Sequence, residues 1–70
     1  MTRPRYKGYS LIKVYQGESE DEGEAACLEL ADATIAAEAA GMTTRTVGWH
    51  NNEYLLYVTN ASLHTWGRYR

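Results

Sequence analysis

The stretch from Thr43 to Thr59 constrains the fold of this chain more than any other, because two β-rich runs flank Asn51-Asn52. Asparagine accepts positive φ angles, which a type I′ hairpin turn requires at both of its central positions. A two-residue turn also sets the register of the strands, since partners follow by counting outward from the turn. The predicted pairs are His50 with Glu53, Trp49 with Tyr54, Val47 with Leu56, Thr46 with Tyr57, and Arg45 with Val58.

Side chains alternate along each strand of this hairpin, so the register also divides them between two faces of a sheet. The first face is apolar enough to belong to a core, and it carries Trp49, Tyr54, Val47, Leu56 and Val58. The second face is half-apolar and holds no catalytic arrangement; it carries Gly48, Leu55, Thr46, Tyr57, Thr44 and His50.

The 70 residues are predicted to form one domain with no internal repeat. A chain this short buries only about 60% of its unfolded surface and usually needs extra stabilisation. The single Cys27 cannot form an internal disulfide, and no cluster of metal ligands is evident. Contact with a partner, or with a second copy in a homodimer, would supply that stabilisation.

The charges are segregated along the chain, with eight of the nine acidic residues between Glu18 and Glu38. The net charge of −2 argues against a protein that seeks nucleic acid or a membrane surface strongly. No run is long enough for a membrane helix, and residues 1–7 lack the apolar core of a signal peptide. We therefore expect no membrane association and a cytoplasmic location.

In chain order, residues 1–7 form a basic tail, 8–17 a strand, 19–40 a helix, 43–59 the hairpin and 60–70 a C-terminal segment. In the first strand Ile12 and Val14 are predicted to face the core. The opposite side of that strand would carry Tyr9, Leu11, Lys13 and Tyr15.

The helix has clear signals at both ends. Ser19 followed by Glu22 fits a capping box, and Gly41 suits the left-handed position after the last turn. Leu28, Ala31 and Ile35, with Cys27 beside them as a small buried hydrophobe, are predicted to pack on the sheet. A second stripe on an adjoining face has two readings, as simple helix-forming alanine or as a surface that another helix approaches; it contains Ala26, Leu30, Ala33 and Ala37.

These elements predict an α+β fold with two layers, in which one helix lies on a mostly antiparallel β-α-β-β sheet. Residues Leu63 to Tyr69 could return as a fourth edge strand. The sheet face away from the helix would be open and rich in aromatic side chains, which is typical of an interaction site or dimer interface. It would carry Tyr9, Leu11, Tyr15, Leu55 and Tyr57.

Catalysis is not expected, and no cofactor is predicted. His50 and His64 have no nucleophile placed near them by the sequence, and the carboxylates of residues 18–24 cluster at a helix start rather than across a cleft. No glycine-rich phosphate loop is present.

Two binding functions follow. The preferred one is a protein-binding module, in which Tyr, Trp and Arg side chains anchor a partner and the acidic helix steers it towards a basic surface. The alternative is single-stranded nucleic acid stacked on Tyr9, Tyr15 and Tyr57, with Lys13, Arg45 and Arg68 near its backbone. Direct nucleic-acid binding is the less favoured of the two.

The run from Ser10 to Gln16, the Ala/Glu helix, the hairpin with Asn-Asn-Glu-Tyr-Leu-Leu-Tyr and the late Trp66 resemble the layout of some small phage-encoded anti-CRISPR proteins. The resemblance covers roughly residues 9–66 as a pattern of elements. It implies an inhibitor that binds a Cas effector subunit in the bacterial cytoplasm and blocks nucleic-acid access. On this resemblance, the residues that could stand in for phosphates are Glu20, Asp21, Glu22, Glu29 and Asp32.

A second similarity is to dodecins, small β-α-β-β proteins that assemble into homo-oligomers and bind flavin between aromatic side chains. Here Trp49 could take the stacking position.

Overall fold

The computed structural model describes residues 3–69. Met1 and Thr2 of the predicted tail, and Arg70 of the C-terminal segment, lie outside the described residues. The elements are β1 (Tyr9–Gln16), α1 (Glu20–Ala39), β2 (Thr44–His50), β3 (Glu53–Thr59), a 3₁₀ turn (Asn60–Ser62) and α2 (Leu63–Tyr69).

The three strands form an antiparallel sheet in the order β1-β3-β2, and α1 and α2 pack on one side of it. We call that side of the sheet the helix face, and the opposite side the strap face. The predicted two-layer α+β fold class is confirmed.

The hairpin turn forms where the sequence places it. Asn51 has a φ of 53° and Asn52 a φ of 62°, as a type I′ turn requires at its two central positions. The pair next to the turn, His50 with Glu53, is also as predicted.

From Val47 outward the predicted register is wrong, because a bulge lies between Val47 and His50. One extra residue of β2 is accommodated there, so every partner further out shifts by one. Val47 pairs with Leu55 instead of Leu56, and therefore lies on the strap face rather than in the predicted core. The remaining pairs are Thr46 with Leu56, Arg45 with Tyr57, and Thr44 with Val58.

A second bulge interrupts β1. Leu11 pairs with Tyr57 and Lys13 with Leu56, which leaves Ile12 as the extra residue. Ile12 packs against the core on the helix face as predicted, but the bulge reverses the alternation of the residues that follow.

The reversal moves three side chains to faces opposite to those predicted. Val14 pairs with Leu55 on the strap face, whereas the partners of Lys13 and Tyr15 belong to the helix face.

Helix α1 begins and ends close to the predicted residues. The Ser19 hydroxyl accepts a hydrogen bond from the Glu22 N–H at 3.2 Å, which satisfies one of the unpaired donors of the first turn. Gly41 follows the last turn with a φ of +92°, a conformation that residues with a Cβ rarely adopt.

The side of α1 that is buried is the second stripe, not the stripe of Leu28, Ala31 and Ile35 that was predicted to pack on the sheet. Gly23, Ala26, Leu30 and Ala37 are buried, while Leu28 and Ile35 are 63% and 66% exposed. The predicted packing of Leu28, Ala31 and Ile35 on the sheet is therefore wrong, and the second stripe faces the sheet rather than another subunit. Small side chains let the backbone of α1 approach the sheet closely, and Leu30 supplies the largest apolar side chain of this face.

The C-terminal segment forms helix α2 rather than a fourth strand. Strand β3 is the central strand and already pairs on both sides, so the chain that leaves it cannot add a neighbour beside it. The segment turns through Asn60–Ser62 onto the helix face, where Trp66 packs against the cluster of Ala37, Met42 and Val58.

Candidate interaction surfaces

Two opposite surfaces of the molecule carry side chains that are available to another molecule, and they differ in charge. The helix layer holds the eight acidic residues between Glu18 and Glu38. In the described part of the chain, the strap face holds four cations and one carboxylate, namely Arg3, Arg5, Lys7, Arg45 and Glu53.

The outward side of α1 combines exposed aliphatic and acidic side chains. Leu28 and Ile35 are two helical turns apart and point away from the sheet, because on a helix of ~3.6 residues per turn Leu28 lies opposite the buried Ala37. Exposed Ala31 lies between them, and carboxylates flank them on the same side of the helix. We call this surface the outer stripe; it consists of Asp21, Glu24, Leu28, Ala31, Asp32 and Ile35.

The five acidic residues selected from the sequence are all exposed: Glu20, Asp21, Glu22, Glu29 and Asp32. Only Asp21 and Asp32 belong to the outer stripe. Glu29 lies on the flank of α1 nearest β1, close enough to contribute to the electrostatics of Tyr15. Burial first, and then Glu29 and Tyr69, raise the pKa of the Tyr15 phenol.

Cys27 is exposed, contrary to the prediction that it would be buried. It borders a shallow groove between α1 and the edge strand β2, together with Ala31, Ile35 and Thr46. The thiol therefore lies beside the outer stripe rather than in the core.

The strap face is covered by the chain's own N-terminus, and the prediction of an open face is wrong. Residues 3–7, which we call the strap, cross it, and on this face of the sheet Leu55 and Tyr57 are only 0% and 3% exposed. The predicted basic tail is thus packed against the sheet over its described part.

Several contacts hold the strap in place. The guanidinium of Arg3 donates two hydrogen bonds of 2.9 Å to the Glu53 carboxylate, and the Tyr57 hydroxyl donates to the carbonyl oxygen of Pro4. The Tyr6 ring meets the Tyr57 ring edge-on at 5.1 Å, and the Arg45 guanidinium lies 3.8 Å from the centre of the Tyr6 ring.

The same contacts explain two pKa shifts. The hydrogen bond from Arg3 is the main reason why the pKa of Glu53 lies below its ordinary value. Burial under the strap raises the pKa of the Tyr57 phenol.

Alternation along the strap places its cations outward. Pro4 and Tyr6 are half-buried against the sheet, whereas Arg3, Arg5 and Lys7 are exposed. Beside the strap is an open groove of about 900 Å³, whose lining includes Arg5, Lys7, Tyr9, Leu11 and Asn51.

Of the four sheet residues selected from the sequence, the structure brings only Tyr9 and Tyr57 together. Both line this groove, although Tyr57 is a core residue rather than an exposed platform. Lys13 lies on the other side of the sheet, with its Nζ 5.9 Å from the centre of the Trp66 ring, and Tyr15 is on that side as well.

Trp49 is engaged with its own fold. Its Nε1–H donates to the Asn52 side-chain oxygen at 3.0 Å, and its ring lies against Gly23 of α1 and 5.9 Å from the Tyr54 ring. One face of the indole is therefore covered, while the side chain keeps 42% exposure.

Within residues 3–69, no group of three or more His, Cys, Asp or Glu side chains could hold a metal ion. Neither helix of the same range is both long and apolar enough to cross a bilayer.

Sequence reasoning missed Arg3, Tyr6 and Glu53 as a group, and Leu28 and Ile35 as exposed residues. The alternation of cations with Pro4 and Tyr6 in the N-terminal run was the available signal for the strap. For α1, the recurrence of Gly and Ala at positions 23, 26, 33 and 37 was the signal for its sheet-facing side.

Comparison of the chain with models of known families, with curated proteins and with solved structures found no match.

Proposed function

We propose that this protein is a non-catalytic protein-binding module whose contact surface is the outer stripe of α1. The exposure of Leu28 and Ile35, at 63% and 66%, is the observation that carries the proposal. Burying such a side chain is worth roughly 1.5–3 kcal/mol. Two such side chains lie in water on the same face of α1. A partner that covered them would gain this free energy on binding.

The surroundings of these two side chains define the partner's chemistry. Asp21, Glu24 and Asp32 flank the aliphatic centre and would remain at the rim of an interface. Rim charges mainly accelerate association and select partners of opposite sign. The partner surface would be a shallow apolar groove bordered by Lys or Arg.

The resemblance to phage anti-CRISPR proteins suggests a specific partner of this kind, a subunit of a bacterial CRISPR–Cas effector complex. Such a subunit carries cations that hold nucleic-acid phosphates. Carboxylates of α1 placed against those cations would obstruct nucleic-acid access, with Leu28 and Ile35 as anchors.

A mobility-shift experiment with purified effector complexes and target DNA tests this specific form. The protein should lower the fraction of DNA bound. The double variant Leu28→Ser/Ile35→Ser should need at least about tenfold more protein for the same effect, since interface anchors typically contribute more than 1 kcal/mol each. Leu63→Ser, which removes another exposed aliphatic side chain from α2, is the matched control and should behave as wild type.

The broader form, binding of any protein through this stripe, can be tested with a photo-crosslinker attached to the exposed Cys27. A captured partner is then purified and titrated against wild type and the double variant. Equal affinities would show that the outer stripe is not the contact surface. Sedimentation of the free protein identifies the case in which the captured partner is a second copy of the chain.

A further inference from the structure

The groove beside the strap is lined by cations, whereas the molecule as a whole is acidic. Among residues 3–69, four cations face that side of the sheet, and Glu53, the one carboxylate beside them, is already paired with Arg3. From this arrangement we infer that the groove binds single-stranded nucleic acid, with phosphates on Arg5 and Lys7 and a base on Tyr9. The site lies on the opposite side of the molecule from the outer stripe and is independent of it.

Arg5 and Lys7 are the cations that remain available. Arg3 donates both of its hydrogen bonds to Glu53, and Arg45 lies on the Tyr6 ring. Arg5 and Lys7 are exposed, and within the described residues neither forms an ion pair. Both line the groove, Lys7 from the turn in which the Tyr9 N–H donates to the Tyr6 carbonyl, so they can bind phosphates of one strand.

Tyr9 supplies the stacking surface. Its side chain is half-buried at the start of β1 and lines the groove together with Leu11. Tyr6 and Tyr57 are occupied by each other and by Arg45, so they shape the groove rather than receive a base. A base on an aromatic ring is recognised by its π-face, without dependence on sequence.

The acidity of the whole chain does not prevent this binding. The carboxylates of the outer stripe are separated from the groove by the sheet and by the thickness of α1, and a helix alone is about 10 Å across. That separation exceeds the Debye length of ~8 Å at physiological ionic strength, so the two surfaces act nearly independently. The groove is also open along its side, which suits a strand better than an enclosed small molecule.

The experiment is fluorescence anisotropy of a short labelled oligothymidylate titrated with the full chain at several salt concentrations. Two phosphate contacts on a single strand predict a log–log slope of about −1.4, or roughly sevenfold weaker binding at 200 mM than at 50 mM salt. Arg5→Ser/Lys7→Ser should flatten that slope towards zero. Tyr9→Leu should weaken binding by about fivefold or more while leaving the slope unchanged.

The matched control is Lys13→Ser/Arg68→Ser, which removes the same charge from residues outside the groove. It should retain the wild-type slope and an affinity within about twofold of wild type. Circular dichroism and urea unfolding show that each variant is folded.

Three results would overturn the inference. The first is that no oligonucleotide binds at 50 mM salt. The second is that both double variants lose the same amount of affinity, which would mean that binding depends on net charge alone. The third is equally tight binding of a labelled poly-glutamate peptide, which would assign the groove to acidic peptides. None of these variants touches the outer stripe, so this test and that of the proposed function fail separately.

Discussion

The indole ring of Trp49 lies so close to the backbone of Gly23 that a methyl group on Gly23 would come within 2.1 Å of the ring. The ring is held from its other end by the hydrogen bond to Asn52. The bulge in β2 lies at this position, between Val47 and His50. The turn, the bulge and the first turns of α1 therefore form one packed unit.

This contact predicts that Gly23→Ala destabilises the protein, although alanine is ordinarily the better helix former. The added methyl group must displace the ring, and overpacking of this kind costs about 1–3 kcal/mol. The free energy of unfolding from urea titration measures the effect. Gly67→Ala in α2 is the matched control, because a Cβ there meets nothing within 4 Å and should add up to about 1 kcal/mol of stability. Equal stabilisation by both substitutions would contradict the packing of Trp49 on Gly23.

Features that depend on only a few neighbouring residues could be predicted from the sequence. The type I′ turn needs only two residues that tolerate positive φ, and Asn51 and Asn52 supply them. The start of α1 needs a side chain that accepts a hydrogen bond from the N–H three residues further along the chain, and Ser19 supplies it. The order of the elements and the α+β class follow from such local signals.

The side-chain faces could not be predicted in the same way, because each depends on packing between distant segments. A β-bulge has no fixed sequence signature, yet one extra residue at Ile12 is enough to move Tyr15 to the other face of the sheet. Helix α1 is apolar on two sides, so hydrophobicity alone does not decide which side is buried. The strap was missed because its contacts join Arg3 to Glu53, fifty positions apart in the chain.

The corrected orientation of α1 predicts opposite responses of two leucines. Leu28 is 63% exposed, so Leu28→Ala should change the free energy of unfolding by no more than about 0.5 kcal/mol. Leu30 is only 7% exposed against the sheet, and Leu30→Ala should cost about 2–5 kcal/mol. Urea unfolding of the two variants checks this directly. A larger loss of unfolding free energy from Leu28→Ala than from Leu30→Ala would show that Leu28 packs on the sheet, as expected from the sequence.

Tyr57 is predicted to act as a core residue that also anchors the strap. Tyr57→Phe keeps the ring but removes the hydrogen bond to the Pro4 carbonyl, which should cost about 0.5–1.5 kcal/mol. Trypsin should cleave faster after Arg5 and Lys7 in this variant, because the strap loses an attachment. Tyr57→Ala removes the buried ring as well and should cost about 3–5 kcal/mol. Tyr9→Phe is the control, since within residues 3–69 the Tyr9 hydroxyl forms no hydrogen bond with the strap, and cleavage at the wild-type rate is expected from it.

The ion pair of the strap predicts a specific pH dependence of stability. The hydrogen bond from Arg3 holds the pKa of Glu53 below its ordinary value in the folded protein, whereas the unfolded chain has no such partner. The unfolded state therefore binds the proton more readily, and stability falls as the pH decreases. The contribution is complete above the unfolded pKa of about 4.3 and is lost as the pH falls through the lower, folded value.

Urea unfolding at a series of pH values from about 6 to 2 should thus show a steeper acid loss for wild type than for Glu53→Gln. The other carboxylates titrate in both proteins, so the difference between the two curves isolates Glu53. Arg3→Gln leaves the carboxylate but removes the donor that lowers its pKa, and it should reproduce the shallower curve of Glu53→Gln. Parallel curves for all three proteins would mean that the strap is not held by this pair in solution.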